Sequence, residues 1–226
     1  MSVKILASVR DSAEAGLALA AGVDVIDLKE PKLGALGAVP LSVVKNVVSQ
    51  VGGKAMISAT IGDMDLCPDP VVKACDQLLD AQVDVVKVGI FSGDLAGTLH
   101  ALAPRIEAGA KIVAVLFADG PTMWQLVLPA LVKARFTGLM LDTADKSRGG
   151  LLRHLPLPVL SAFVQATKDA GLSCGLAGSL ALEDIPSLVP LNPDFLGFRS
   201  ALCAEGRSGY ISPDKLDEVV EAVRNA

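Results

Sequence analysis

Residues 23–37 read Val23-Asp24-Val25-Ile26-Asp27-Leu28-Lys29-Glu30-Pro31-Lys32-Leu33-Gly34-Ala35-Leu36-Gly37. A short aliphatic run ends abruptly in charge and passes into a turn punctuated by proline and glycine. Strands buried on both faces read as continuous aliphatic runs, which is the mark of a parallel sheet covered by helices. The same form recurs at Val83-Asp84-Val85-Val86-Lys87 and at 137–142, where an apolar run closes on Asp142. Working outward, strands are expected at 3–9, 23–28, 55–60, 83–88, 111–118, 137–142, 173–177 and 194–198. Helical periodicity or capping places helices at 11–21, 40–51, 68–80, 92–108, 122–134, 157–170, 181–189 and 212–225. Asp11 and Ser212-Pro213-Asp214 are good helix openings. Eight alternating units in 226 residues predict an α/β fold, a single (β/α)8 TIM barrel over 1–226. A doubly wound open sheet is the alternative.

Composition narrows the function. Hydrophobic residues make up 51% of the chain, which excludes a disordered protein. Mean hydropathy is +0.51, yet no stretch free of Asp, Glu, Lys, Arg and His exceeds 13 residues. That is short of the roughly 18–20 needed to span a bilayer, so no membrane is expected. A formal charge of −5 argues against a nucleic-acid partner, which needs a basic face. The N-terminus lacks the apolar region of a signal, because Arg10 interrupts it early. Cys67, Cys75, Cys174 and Cys203 show no CxxC pairing, and His100 and His154 offer no metal-ligand spacing. A cytoplasmic, reduced protein with no metal is the expectation. Cys174 and Cys203 are read as small apolar packing residues.

In barrels the carboxyl end of the sheet builds the active site. Asp27 and Lys29 share one strand face, Lys87 ends strand four, Asp119 follows strand five and Asp142 ends strand six. A lysine flanked by aliphatics at a strand end can form a Schiff base once it is deprotonated. A second ammonium nearby, here Lys87, together with partial desolvation favours that form. The competing reading is two solvated loop lysines.

Arg10, Lys29, Lys32, Lys87, Lys146, Arg148 and Arg199 fall at or beyond strand ends, which suggests an anionic small substrate. Charged helix-facing loops would give the same list. Gly175-Leu176-Ala177-Gly178-Ser179-Leu180 and Gly197-Phe198-Arg199-Ser200 follow strands seven and eight. They match the barrel phosphate site, where backbone N–H groups and a helix N-terminus hold the anion. Gly178, Ser179, Arg199 and Arg10 are therefore the expected phosphate-binding residues. Asp142 could orient a lysine or relay protons, and Lys146 could meet a phosphate or assist elimination. The alternative is that Asp145 and Lys146 are ordinary loop charges.

DLKEPKLGALGA at 27–38, VKVG at 86–89, LDTADKSRGG at 141–150, GLAGSL at 175–180 and GFRSALC at 197–203 carry a family resemblance over nearly the whole chain. The sequence resembles (5-formylfuran-3-yl)methyl phosphate synthase, also called 4-(hydroxymethyl)-2-furancarboxaldehyde-phosphate synthase. The resemblance implies a class I aldolase-like barrel that condenses two glyceraldehyde 3-phosphate molecules into the furan phosphate, releasing phosphate and water. The product would feed biosynthesis of methanofuran or a related one-carbon carrier. It further implies Lys29 as the Schiff-base lysine, Lys87 as an acid/base lysine, and Asp27 and Lys146 as the remaining catalytic pair. Asp142 and Arg199 join the site on the residue-level argument alone. No cofactor is implied, since the imine provides the electron sink, and a homo-oligomer is expected. The rival readings are another class I aldolase or phosphate-sugar isomerase, and a nonenzymatic phosphate-binding barrel.

Overall fold

Aliphatic runs buried on both faces must satisfy their backbone groups in a sheet, and here eight of them close on themselves. The structure, a computed structural model, describes residues 2–120 and 123–226, with the Lys146 side chain outside the description. The first four strands are β1 (Lys4–Val9), β2 (Val25–Leu28), β3 (Met56–Thr60) and β4 (Val85–Gly89). They continue as β5 (Ile112–Phe117), β6 (Gly138–Asp142), β7 (Ser173–Leu176) and β8 (Phe195–Phe198). All pairs are parallel and β8 returns to β1, so the sheet is a closed barrel and not a doubly wound open sheet.

Between the strands lie α1 (Ser12–Ala20), α2 (Leu41–Val51), α3 (Pro68–Asp80), α4 (Leu95–Glu107) and α5 (Trp124–Lys133). The rest are α6 (Leu151–His154), α7 (Leu157–Asp169), α8 (Ile185–Leu188) and α9 (Pro213–Asn225). Two departures from the sequence reading have local causes. The unit expected at 181–189 is broken into 3-10 turns flanking the four-residue α8, because Pro186 and Pro190 withhold N–H donors. The short α6 was not expected; it is confined between Gly149-Gly150 and Pro156, which opens α7. Thr122, in the helix expected at 122–134, lies outside the described residues. Among the described residues no helix is long and apolar enough to cross a membrane.

Side-chain alternation divides the core. Ile5, Ile26, Ile57, Val86, Ile112, Leu139 and Leu141 face the helices, while Leu6, Val25, Val115, Met140 and Ala177 fill the barrel. Burial pushes the Cys75 and Cys174 thiols up to about 12, consistent with packing residues. At the amino end, Asp24, Asp84 and Asp194 each accept a backbone N–H from the preceding strand, at 2.9, 2.7 and 2.7 Å. Those carboxylates hold neighbouring strands together. The charges at the carboxyl end have the parity of the barrel interior, and they converge.

Candidate active site

The segment after β2 is shaped by close contacts. The Lys29 N–H donates to the Val9 carbonyl at 3.0 Å, and the Glu30 N–H donates to the Gly37 carbonyl at 2.7 Å. A Cβ on Gly37 would stand 2.3 Å from the Glu30 carbonyl oxygen, so only glycine closes this loop. The Asp63 carboxylate then accepts the Ala35 and Leu36 N–H groups at 2.8 and 2.6 Å. Lys29 is thereby fixed at the rim, with its side chain turned into the barrel.

Sheet register sets Ser8 beside Asp27 and Asp27 beside Ser58. Asp27, wholly buried, accepts from Ser8 Oγ at 3.0 Å, Ser58 Oγ at 2.5 Å and Lys87 Nζ at 2.9 Å. Two residues along the same strand face, Lys29 Nζ lies 3.3 Å from Asp142 Oδ2. None of Asp27, Lys29, Lys87 and Asp142 is more than 6% exposed. Burial alone would raise the Asp27 carboxyl. The Lys87 and Lys29 charges and the Ser58 hydroxyl outweigh it and hold the group below its ordinary value, as a carboxylate. The two lysines thus form separate ion pairs, Lys87 with Asp27 and Lys29 with Asp142.

The other expected residues divide. Gly178 and Ser179 line the same mouth, and their N–H groups make no hydrogen bond among the described residues. Arg199 lines it as well, but every N–H of its guanidinium is committed. Nε donates to the Arg207 carbonyl at 2.9 Å, and Nη1 to the Ser8 carbonyl at 3.1 Å and Glu14 Oε2 at 2.5 Å. Nη2 donates to Glu14 Oε1 at 3.1 Å and the Gly209 carbonyl at 2.6 Å. Arg10 also pairs with Glu14, at 3.2 Å, and donates to the Ser208 carbonyl at 3.0 Å. Both arginines are thus engaged by the protein itself in this arrangement. They anchor the loop before α9 to the buried Glu14. Lys32 and Arg148 are exposed on loops, and the Lys146 side chain lies outside the described residues. The Asp119 carboxylate accepts the Ala144 and Asp145 N–H groups at 2.7 and 2.6 Å and shapes the loop after β6.

One charged lining residue escaped the sequence reading: Arg207, which donates to the Gly34 carbonyl at 2.9 Å. Its only sequence signal was a cation in a glycine-flanked loop beyond β8. The mouth is narrow, with about 20 Å³ of free space. A larger cavity of about 260 Å³ opens at the amino end, walled mainly by Leu6, Val25, Met56, Val113, Met140 and Phe195. Lys87 borders both. The chemistry favours the smaller cavity, because two lysines, the Asp142 carboxylate and the glycine-rich turn line it, with Asp27 bonded to Lys87.

Residues 5–220 match the family model described as 4-HFC-P synthase. The chain is 32% identical to (5-formylfuran-3-yl)methyl phosphate synthase of Methanococcus maripaludis strain C6, over 97% of this chain and 99% of that one. A Methylorubrum extorquens protein provisionally given the same name is 40% identical, over 98% and 92% of the two chains. Among solved structures, phosphoribosyl anthranilate isomerase from Thermus thermophilus superposes with a TM-score of 0.70 at 16% identity, covering 99% of both chains. 3-Hexulose-6-phosphate synthase does so with 0.69 at 18% identity, covering 98% and 99%. These last two likenesses concern the fold alone.

Proposed function

The chain belongs to the 4-HFC-P synthase family, and from that premise we propose that it condenses two glyceraldehyde 3-phosphate molecules into (5-formylfuran-3-yl)methyl phosphate through an imine at Lys29. One phosphate and two waters leave in the balanced reaction. The observation that carries the reading is the Lys29 amine, buried in the mouth within hydrogen-bond reach of Asp142, with the Lys87–Asp27 pair beside it.

Asp142 is placed to take the Lys29 proton, freeing the amine to attack a triose carbonyl. Loss of water gives an iminium, which acidifies the neighbouring carbon. Asp27, ionised and hydrogen-bonded to Lys87, supplies with it a base and an acid for the proton transfers that follow. Loss of phosphate from the third carbon of the bound triose leaves an enol whose terminal carbon attacks the carbonyl of the second triose, which has isomerised to the ketone, dihydroxyacetone phosphate. Hydrolysis of the imine, ring closure and loss of two waters yield the furan. The backbone at Gly178 and Ser179 receives a phosphate. The product would serve biosynthesis of methanofuran or a related one-carbon carrier, in the cytoplasm.

The test is product analysis. Incubation with glyceraldehyde 3-phosphate alone should produce the furan phosphate mass and a new near-ultraviolet chromophore. An aldol or isomer product with no chromophore would overturn the assignment.

A further inference from the structure

The loop joining β8 to α9 is held by its backbone and directs one side chain inward. Three successive carbonyls, those of Arg207, Ser208 and Gly209, accept from Arg199 and Arg10, at 2.9, 3.0 and 2.6 Å. Both arginines pair with Glu14, which is 2% exposed. Below them, Ser212 N–H donates to the Leu202 carbonyl at 2.8 Å and closes the base of the loop. The Arg207 side chain is thus carried on a fixed backbone, half-buried, over the cavity that contains Lys29 and Asp142.

Arg207 differs from the arginines that hold it. Where Arg199 has spent its whole guanidinium on the protein, Arg207 makes one hydrogen bond among the described residues, to the neutral Gly34 carbonyl. That bond spans the mouth from the loop before α9 to the loop after β2. The space left beneath it is about 20 Å³, room for roughly one water. A single bond to a neutral carbonyl is a weak tie across the mouth, whereas a guanidinium fork on a phosphate makes two charge-assisted bonds. Burial works against the Arg207 charge, and Asp142, Asp63 and Glu30 only partly support it against Arg199. The group is a half-buried cation whose one hydrogen-bond partner is neutral.

We infer that Arg207 is a substrate-binding residue: it releases the Gly34 carbonyl and takes the phosphate of a triose phosphate seated over Lys29, opposite the Gly178–Ser179 backbone. The inference rests on the triose-phosphate reading and adds to it the residue that recognises the ester.

Glycerol 3-phosphate, which has no carbonyl and forms no imine, isolates binding from chemistry. Its affinity for the full chain is measured by calorimetry beside Arg207→Ala and Arg207→Lys, with thermal unfolding of each as the folding control. Arg207→Ala should bind about tenfold to a hundredfold more weakly. Arg207→Lys, which keeps the charge but loses the fork, should fall between, and it carries the test if the alanine variant does not fold. Equal or tighter binding by Arg207→Ala would show a latch and no phosphate contact, and would overturn the inference. Furan formation by the same unmodified preparation keeps the two readings apart. If product forms while the variants bind like the native chain, only Arg207 is misassigned; if native protein neither binds the ester nor forms product, both readings fall.

Discussion

Asp27 is the buried carboxylate on which the Lys87 charge depends. It is a carboxylate with no exposure, surrounded by two serine hydroxyls and an ammonium. Asp27→Asn leaves Lys87 buried without its counter-charge and should cost about 3–5 kcal/mol. The pH dependence has a definite sign. The carboxyl lies lower in the folded chain than its ordinary 3.8. Its stabilisation is therefore complete above that value and is lost as pH falls through the lowered folded one. Acid-unfolding curves should show this component in the native protein and lack it in Asp27→Asn. Glu14 sets a second test. Glu14→Gln or Arg199→Ala breaks a buried pair and should also cost about 3–5 kcal/mol. A variant at Arg199 that raises KM with no change in unfolding would mark Arg199 as a phosphate contact instead. Lys29, Lys87, Asp27 and Asp142 were legible because each closes an apolar run with matching parity. The role of Glu14 was not, since its partner Arg199 lies 185 positions away.

At the scale of elements, the loop after β2 has one backbone solution. Gly37→Ala would force a Cβ against the Glu30 carbonyl and should cost about 1–3 kcal/mol. Because the same loop positions Lys29 and presents the Gly34 carbonyl, turnover should fall more than stability explains. Turnover compared with the folded fraction at matched temperature checks this. Strands were readable as aliphatic runs, since a barrel strand is buried on both faces and has no polar alternation to obscure it. The stretch 181–191 was not, because its helical pattern is cut by Pro186 and Pro190. Arg207 escaped for a related reason: it lies in a loop, where no periodicity says which way a side chain turns.

Over the whole molecule, charge is sorted by barrel end. Carboxylates at the amino end tie strands together, and Asp27 and Asp142 at the carboxyl end pair with lysines. The central claim is that one of those lysines, Lys29, becomes covalently bound to substrate. Borohydride added with glyceraldehyde 3-phosphate reduces an imine to a stable amine and fixes the triose in place. Peptide mass analysis should find the triose-derived mass on the peptide bearing Lys29, and no label in Lys29→Ala or Lys29→Arg. Lys87→Ala should turn over slowly and still be labelled. A label on Lys87 in the native protein, or on no lysine at all, would contradict the account.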